Sequence, residues 1–561
     1  MINFIKEKFL VLALAAPLLV SSARANIYVT DLKLNGVQSL DIGAGFSAID
    51  ITYVLNEPAT LGVIINIASG TNLVRTLSPA PGAQGALFGH NLVTWDGNGS
   101  DGFPAPSGQY IVSVTAAANG HTNWAQISQD TNAGNYVYDP RGLAVNNNSN
   151  STYYGRVFVG NAGTGPNYAT VPGDQDTILK LNADGSFADE GPDGNGGYNI
   201  FDDGNNDLPQ KMRVAEDDRL YMMDLSGYAA VAAFDMLLST NEVVLDSDNY
   251  TGNPFWDSSL SGALVGWFSM DVTEANTTNG LIWLGQWDAN GAGVWNWHLT
   301  NGVANPNDQV GNWAVAVGGS LGVAASGGVM VDTNYDIFIG QYLTDQGDTN
   351  ADCLVFTNWN HGLSYGGAAV TNGAAWSAGG NDTNFLGVYD TTIDSRQQPK
   401  YVACALFGPA TSGPFNAGIR ILDATNGSVV VTNLDSTNQY YVTAWDNVGN
   451  LYAASGTSHL LRVFSPPGGT TQATASDSVQ IDSAFTITGI ILNGTTLTIK
   501  FIASQGDSAG QFTLQSCATV NGSYATVPGA VPTQISPGFF TVSTAASALV
   551  QFYRISSAGA P

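Results

Sequence analysis

The amino-acid sequence predicts an all-β chain with an N-terminal sandwich, a central six-bladed β-propeller and a C-terminal sandwich. Charged residues make up only 11% of the 561 residues, and Gly, Asn, Ser and Thr take their place. This mixture favours turns and strands over helix interiors. Apolar residues show no sustained 3.6-residue period, which argues against helices. A strand-like motif also recurs at a regular long interval, as repeat architectures require.

The first 25 residues are predicted to be a signal peptide. Lys6 and Lys8 precede an apolar run over residues 9–20, and Ala23-Arg24-Ala25 supplies a small–x–small cleavage pattern. The run is too short to span a bilayer, and no later stretch of the sequence qualifies as a transmembrane segment. We therefore expect an exported bacterial protein that is periplasmic, attached to the cell surface or extracellular.

The charge balance narrows the range of partners. The chain carries 45 acidic and 17 basic side chains, a net charge of −28. Nucleic acids and anionic membrane surfaces attract clustered Lys and Arg, so neither is an expected partner. Cationic partners or divalent ions are favoured electrostatically.

Residues 26–118 form the first predicted domain. Short alternating runs at Ile49–Leu55 and Leu61–Ile67 are bounded by turn residues, as in an antiparallel sandwich. Its end, Trp95 to Tyr110, is a Gly- and Asp-rich turn with Pro104 and Pro106, followed by a last strand. This ending resembles the Ig-like module of the flagellar hook-capping family, which recurs in many exported bacterial proteins. The resemblance implies an Ig-like β-sandwich with a structural or interaction role.

Residues 139–467 contain the internal repeat. Its anchor strands are Gly142–Val145, Met212–Ala215, Met270–Val272, Val329–Asp332, Leu386–Val388 and Thr443–Asp446. Val145 and Trp445 stand 300 residues apart across five intervals, a mean of 60 residues per unit. Two further apolar strands follow each anchor, with room for a fourth, and four strands per unit is the blade of a propeller.

Two copies of the repeat carry a family resemblance. Asp139-Pro140-Arg141-Gly142-Leu143-Ala144-Val145 and Asp446-Asn447-Val448-Gly449-Asn450-Leu451-Tyr452 resemble NHL-type, gluconolactonase-like (TolB-like) six-bladed propellers. In the lactonase-like members the channel holds a metal on Glu, Asn and Asp ligands. That set does not map onto this sequence residue by residue.

Residues 473–561 form the predicted C-terminal β-sandwich, with strand-like runs at Phe485–Leu492, Thr496–Ile502, Phe512–Gln515 and Leu549–Ile555. The run around Cys517 and Tyr553 resembles carboxy-terminal modules of exported bacterial proteins. The Thr/Ser/Pro-rich stretch 466–478 is predicted to be the linker.

Catalytic motifs are scarce. The five histidines are scattered without a paired spacing, so a His-based metal or general-base site is not indicated. Cys353, Cys404 and Cys517 are too few for a disulfide framework. Buried free thiols are the favoured interpretation, with one bridge open to the chain in an oxidising compartment. We therefore predict no catalytic residues.

Two groups of residues are predicted to bind a ligand. The innermost strands of a propeller line its channel, and they carry Arg141, Arg213 and Asp271. Seven tryptophans lie between residues 256 and 313, and exposed indole rings stack on sugars. The candidates among them for a sugar platform are Trp283, Trp287, Trp295 and Trp297. The favoured alternative is that these aromatic rings fill the space between blades.

One acidic segment is the candidate metal site. It is rich in Gly, and its candidate ligands are Asp193, Asn195, Asp202, Asp203 and Asp207. Ca²⁺ takes six to eight oxygen ligands, which loops of this composition can offer, although the spacing departs from the EF-hand loop. A solvated acidic loop is the favoured interpretation and a structural Ca²⁺ site is the alternative.

Together these observations predict an exported, non-catalytic propeller protein that binds a glycan or a surface protein. One alternative is a structural or assembly component of the cell envelope. The other is an extracellular metal-dependent hydrolase or lyase with its site at the propeller channel. A fold alone does not distinguish them.

Overall fold

The computed structural model is all-β, as the sequence predicts. It describes residues 26–38, 40–42, 48–106, 108–188, 197–198, 209–224, 231–245, 267–275, 279–286, 293–300, 303–304, 313–318, 323, 326–342, 351–357, 370, 372–379, 385, 387–394, 401–407, 417–468, 471–481, 485–503, 507–520, 522–546 and 551–557. Short 3₁₀ turns lie at Ala133–Asn135, Pro172–Asp174 and Ala509–Gln511. Within these ranges, no helix has the length and apolar character needed to cross a bilayer.

The N-terminal domain is a sandwich of two sheets. The smaller sheet has the strand order Val29–Leu34, Ile49–Leu55 and Gly89–Trp95. The larger sheet has the order Leu40–Ile42, Thr471–Ile481, Gly108–Ala118, Gly62–Ser69 and Asn72–Leu77. Alternate residues of both sheets point into one apolar core, in which Trp95 and Tyr110 are buried with ring centroids 6.0 Å apart.

One strand of this sandwich comes from the far end of the chain, which differs from the predicted domain boundary. Thr471–Ile481 pairs antiparallel with Gly108–Ala118 over eleven residue pairs and buries Val479 and Ile481 in the N-terminal core. The stretch 466–478, predicted as a linker, therefore contributes mainly to this strand, and the C-terminal sandwich begins later than residue 473. Ala473 and Ala475 of this strand pack against the core, while Thr474 and Ser476 face solvent. Small and polar residues of this kind are also typical of linkers, which is why the strand resembles a linker in composition.

The central domain is a ring of six blades, which confirms the predicted propeller. We number the blades 1 to 6 along the chain. The innermost strands are Pro140–Val145, Pro209–Val214, Trp267–Thr273, Ser326–Val331, Val388–Ile393 and Tyr440–Trp445. The second strands are Val157–Asn161, Leu220–Asp224, Asn279–Gln286, Ile337–Gln341, Tyr401–Leu406 and Leu451–Ser455. The third strands are Thr177–Leu181, Val231–Phe234, Gly293–Thr300, Ala351–Phe356, Ile419–Asp423 and Leu460–Ser465.

The outermost strands complete the blades. In chain order of the blades they are Gly197–Tyr198, Asn241–Leu245, Val303–Ala304, Trp376–Gly379, Val429–Leu434 and, for blade 6, Ala125–Gln126. Blade 3 has a fifth strand, Trp313–Gly318, which also pairs with its third strand. Each innermost strand contacts the innermost strands of both neighbouring blades, and blade 6 contacts blade 1, so the ring is closed.

Blade 6 takes its outermost strand from the segment before blade 1. Gln126 pairs with Phe464 and Ala125 with Ser465, so the propeller begins before the predicted boundary at residue 139. Trp124 supports this closure by packing against Tyr401 and Trp445, with centroid distances of 5.8 and 6.2 Å. Pairing between the two ends of the propeller joins the first and last blades through main-chain hydrogen bonds.

Small residues let the blades approach closely. Gly328 lies on the innermost strand of blade 4, where a Cβ would stand 2.1 Å from the backbone nitrogen of Thr391 in blade 5. No residue larger than glycine fits there unless the two blades separate. The innermost strands of blades 4 and 5 are therefore in direct backbone contact at this point.

The C-terminal domain is a second sandwich. Its four-stranded sheet has the order Phe485–Asn493, Thr496–Ala503, Phe539–Ala545 and Thr533–Ser536. Its three-stranded sheet has the order Ala525–Thr526, Phe512–Cys517 and Phe552–Ser557. Phe501, Phe512 and Phe540 form the centre of its core, with ring centroids 5.0 to 5.3 Å apart. Phe539 meets Phe103 of the N-terminal sandwich edge to face at 5.5 Å.

Candidate functional site in the propeller channel

Charged side chains from three blades meet inside the ring of innermost strands. Lys211 and Arg213 come from blade 2, Asp271 from blade 3 and Asp390 from blade 5, and all four are almost completely buried. Lys211 and Arg213 are two residues apart on one strand, so both point to the same face, towards the channel axis. Because isolated charges are costly to bury, their mutual contacts decide whether the channel is stable.

Asp271 connects blades 2, 3 and 4. Its Oδ1 lies 3.5 Å from Nε of Arg213, and its Oδ2 accepts a 2.7 Å hydrogen bond from the backbone N–H of Val331. The guanidinium of Arg213 is also fixed by a hydrogen bond to its own strand, because Nη1 donates to the carbonyl of Met212 at 2.9 Å. The carboxylate therefore fixes the innermost strand of blade 4 and faces a cation from blade 2.

Asp390 of blade 5 contacts blade 6 in the same way that Asp271 of blade 3 contacts blade 4. Its Oδ2 accepts a 2.9 Å hydrogen bond from the N–H of Thr443 in blade 6. Its Oδ1 lies 3.3 Å from Nζ of Lys211 and 3.8 Å from Nη2 of Arg213. Lys211 also donates to the carbonyl of Tyr389 at 2.8 Å. Asp390 thus balances two cations that reach across the channel from the opposite side of the ring.

Burial shifts two of these groups towards neutrality. Desolvation raises the pKa of Asp271 to about 7, although the charge of Arg213 opposes the shift. Desolvation also lowers the pKa of Lys211 to about 8, against the attraction of Asp390. Near neutral pH, Asp271 can therefore either donate or accept a hydrogen bond.

A cavity of about 280 Å³ opens beside this network, at the carboxyl ends of the innermost strands. Arg213 and Asp271 form part of its wall, and Glu216 and Asp332 add carboxyl groups. Its apolar lining includes Val272, Met330, Ile393 and Trp445. A mostly apolar lining with a few charged groups is a feature of small-molecule sites.

The hydrogen bonding of Arg213 beside this cavity is incomplete. The residue is 7% exposed, and its Nε and Nη2 make no hydrogen bond to any residue that the structure describes. Both atoms are shielded from solvent and face carboxylates, with Nε 3.5 Å from Asp271 and Nη2 3.8 Å from Asp390. The guanidinium therefore contributes its charge to the cavity wall, while these two N–H groups are directed at the buried carboxylates.

The other end of the channel has a different character. Arg141, the second residue of its strand, lies over the rings of Tyr441 and Tyr389 at 4.6 and 5.4 Å. Its Nη1 donates to the hydroxyl of Tyr389, and its Nε donates to Asp139 at 2.9 Å. Tyr389, which Arg141 covers, is itself almost completely buried. Arg141 thus lies on the innermost strand of blade 1, and its described contacts are with Tyr389, Tyr441 and Asp139.

The tryptophan platform requires a correction. Trp283 is completely buried between blades 3 and 4, where its Nε1 donates to Thr273 at 2.9 Å. Trp297 is 2% exposed between blades 2 and 3, and Trp295 is partly buried against the same cluster. A buried indole face cannot stack on a sugar, so Trp283 and Trp297 are core residues. Trp287 lies outside the described residues.

The predicted metal ligands all fall outside the described residues. This applies to Asp193, Asn195, Asp202, Asp203 and Asp207. Within the described part of the chain, no three His, Cys, Asp or Glu side chains are placed to hold a metal ion. The acidic segment stays a prediction, and the carboxylates of the channel are engaged by cations and backbone N–H groups instead.

We expect the stability of the protein to fall between pH 5 and pH 7. The raised pKa of Asp271 means that the folded state holds a proton that the unfolded chain has released, so raising the pH favours unfolding. One such group changes the free energy of unfolding by at most about 1.4 kcal/mol per pH unit. Asp271→Asn should flatten the fall, whereas Asp101→Asn at an exposed turn should keep it. Urea unfolding at pH 5, 6 and 7 measures this, and an equally steep fall in Asp271→Asn would contradict it.

Comparison with known proteins agrees with the N-terminal fold. Residues 37–120 match the family model described as FlgD Ig-like domain, which confirms the predicted resemblance for that module. No curated protein matches the chain.

Several solved structures resemble the chain at low identity. A calcium structure of a Trichoderma reesei protein of Carbohydrate-Active Enzymes Family AA12 is 14% identical, with a TM-score of 0.36, and the match covers 65% of this chain and 98% of that one. The WD40 β-propeller domain of Doa1 is 8% identical, with a TM-score of 0.30, covering 62% and 97%. YCF48 bound to D1 peptide is 8% identical, with a TM-score of 0.30, covering 76% and 96%.

Proposed function

We propose that this is an exported, non-catalytic propeller protein that binds a glycan, with one sugar unit entering the channel cavity beside Arg213 and Asp271. The observation that carries the proposal is the composition of the cavity wall, where Arg213 and Asp271 stand beside the carboxyl groups of Glu216 and Asp332 and several apolar residues.

The chemistry of the cavity suits a hydroxyl-rich ligand. Glu216 and Asp332 offer carboxyl groups, while Asp271, with its pKa near 7, can donate or accept hydrogen bonds. The apolar wall, with Val272, Ile393 and Trp445, suits the C–H face of a sugar ring. The volume of about 280 Å³ lies at the lower end of ligand pockets, so we expect a single terminal unit and not an extended chain in the channel.

The remaining parts of the chain fit this role. The signal peptide predicted over residues 1–25 supports export, and the Ig-like module supports attachment to other surface components. We also propose that the blades belong with NHL-type, gluconolactonase-like propellers. In support, the segments Asp139–Val145 and Asp446–Tyr452 include, respectively, the innermost strand of blade 1 and the start of the second strand of blade 6. Ca²⁺ at the acidic segment stays part of the proposal as an accessory ion.

A second candidate, an assembly component of the envelope, is favoured by one observation on the C-terminal sandwich. Phe485–Asn493 is an edge strand of its sheet within the described residues, and Ile490 and Leu492 on it are 66% and 62% exposed. Exposed apolar edges are typical of association surfaces. This candidate predicts association without affinity for sugars.

A glycan array probed with the chain, in Ca²⁺ and again in EDTA, tests the proposed function. Thr333 is an exposed residue on the cavity rim, so Thr333→Trp should cover the opening without disturbing the core. We expect this variant to bind at least about tenfold more weakly, a loss of about 1.4 kcal/mol. Thr425→Trp, at an exposed turn of blade 5 away from the cavity, is the matched control and should bind like the wild type.

The outcomes separate the candidates. Binding that Thr333→Trp leaves unchanged would place the glycan away from the cavity and contradict the site. No binding to any glycan, together with self-association, would favour the assembly role. Loss of binding in EDTA alone would assign the recognition to a bound ion.

A further inference from the structure

Two cysteines from adjacent blades meet in the core of the propeller. Cys353 lies on the third strand of blade 4 and Cys404 on the second strand of blade 5, and both are 0% exposed. They belong to one apolar cluster, which also contains Phe338 and Leu406. A pair of cysteines that are 51 positions apart in sequence is thus brought together by packing between blades.

The strands around them are in close contact. Gly340 pairs with Cys353, and Thr391 pairs with Cys404. A Cβ on Gly340 would stand 1.9 Å from Oγ1 of Thr391, so the two strand pairs touch at this point. Thr391 Oγ1 lies 3.9 Å from Sγ of Cys404, which holds that side chain in place.

The side chains of Cys353 and Cys404 interact with one another inside this apolar cluster. This contact and burial together raise the pKa of Cys353, so in the folded protein it stays a thiol and is a poor nucleophile. Any reaction that joins the two sulfurs therefore takes place before blades 4 and 5 close over them, while the thiols are still exposed to solvent.

We infer that Cys353 and Cys404 form a disulfide that joins blade 4 to blade 5 when the chain folds in an oxidising compartment. The oxidant is a molecule that itself carries a disulfide. One cysteine thiolate attacks it, forming a mixed disulfide and releasing the first thiolate of the oxidant. The second cysteine thiolate then attacks the mixed disulfide and releases the other thiolate. Two thiols lose two protons and two electrons, and the oxidant is reduced to a dithiol or to two thiols.

The bridge would add a covalent link between two neighbouring blades. A propeller blade is held to its neighbours mainly by packing, and a bridge between blades shortens the loop that the unfolded chain explores. Cys517 is not part of this arrangement, because it lies in the C-terminal sandwich, where its Sγ is 3.9 Å from Oγ1 of Thr519. It serves as the internal reference thiol.

Peptide mapping of the full chain tests the inference. The protein is made in bacterial cells with an oxidising cytoplasm, unfolded in an alkylating agent without reductant, and digested. We expect one crosslinked peptide pair that contains Cys353 and Cys404, a mass 2 Da below that of the reduced chain, and alkylation at Cys517 only. Alkylation of all three cysteines, a bridge that includes Cys517, or a small-molecule adduct on Cys353 or Cys404 would each overturn it.

Thermal unfolding adds a second measurement. Reduction of the bridge should lower the Tm of the wild type by roughly 5 °C. Cys404→Ala should unfold at a temperature that no longer depends on reductant, and Cys517→Ala should keep the wild-type dependence. A wild-type Tm that reductant leaves unchanged would also contradict the inference.

Discussion

A chain that ends after Gly468 is expected to lose its folded N-terminal sandwich, whereas a chain that ends after Ala484 is expected to keep it. The two differ by the strand Thr471–Ile481, which pairs along the whole of Gly108–Ala118 in the larger sheet. Both chains lack the C-terminal sandwich, so the comparison isolates the strand. The strand lies between Leu40–Ile42 and Gly108–Ala118, so its loss leaves both neighbours without a partner on that side.

The expected effect is large because the strand carries core residues as well as hydrogen bonds. Val479 and Ile481 are both 0% exposed, and removing a buried aliphatic side chain costs about 2–5 kcal/mol. Together with the lost ladder, this approaches the 5–15 kcal/mol that typically separates folded from unfolded domains. The short chain should therefore leave residues 49–118 unfolded or close to it.

Limited proteolysis followed by mass spectrometry distinguishes the two chains. In the short chain we expect rapid cleavage within residues 49–118, and in the long chain cleavage there should be slow. The propeller provides the internal control, since blade 6 is closed by Ala125–Gln126 in both chains. Equal resistance of residues 49–118 in both chains would show that the strand is dispensable.

This strand marks the limit of what local sequence could predict. The repeat predicted six blades because each blade carries its own apolar strands at a regular spacing. The two strands that cross domain boundaries have no such local signal, because their partners are far away in the chain. Thr115 and Thr474, whose hydroxyl oxygens lie 2.8 Å apart, are separated by 359 positions.

The sequence predicted two of the four buried charged residues of the channel and missed the other two. Arg213 and Asp271 could be assigned to the channel because their strands were recognised as innermost. Asp390 was missed because the fifth anchor was placed at Leu386–Val388, and the innermost strand begins at Val388 and continues to Ile393. Lys211 was missed although it lies two positions before Arg213, where alternation places it on the same face. A charged residue close to an anchor of the repeat was the available signal.

The tryptophans show why alternation is less informative in a propeller. In an antiparallel sheet with one wet face, residues two apart share either the core or the solvent. A blade is covered by neighbours on both faces, so Trp283 and Trp297 are buried in different clusters, one on each side of blade 3. Periodicity therefore predicts which residues share a face, but not which face is exposed.

Replacing Asp390 by asparagine should be among the most destabilising isosteric changes in the propeller. The change keeps an oxygen for the N–H of Thr443 but removes the charge opposite Lys211, whose side chain is 0% exposed. Removal of one partner from a buried ion pair costs about 3–5 kcal/mol, because the remaining charge has lost its compensation. Thermal or urea unfolding at pH 7 measures the loss.

The loss of stability in Asp390→Asn should depend on pH. Lys211 already has a pKa lowered to about 8 by burial, and loss of Asp390 removes the main attraction that keeps it charged. In Asp390→Asn the lysine can escape its isolation by releasing a proton, which becomes easier as the pH rises. The difference in the free energy of unfolding between the wild type and Asp390→Asn should therefore become smaller between pH 7 and pH 9.

Two further variants decide whether charge is the cause. Lys211→Met in the Asp390→Asn background removes the uncompensated ammonium and should recover much of the lost stability, as double-mutant coupling requires. Asp130→Asn is the control at the surface, where the carboxylate meets Arg462 at 2.7 Å and is 40% exposed. Exposed pairs contribute about 0–1 kcal/mol, so this variant should be nearly neutral. If Asp390→Asn is no more destabilising than Asp130→Asn, the buried charges are not what holds the innermost strands together, and the balance of charge in the channel is not a structural requirement.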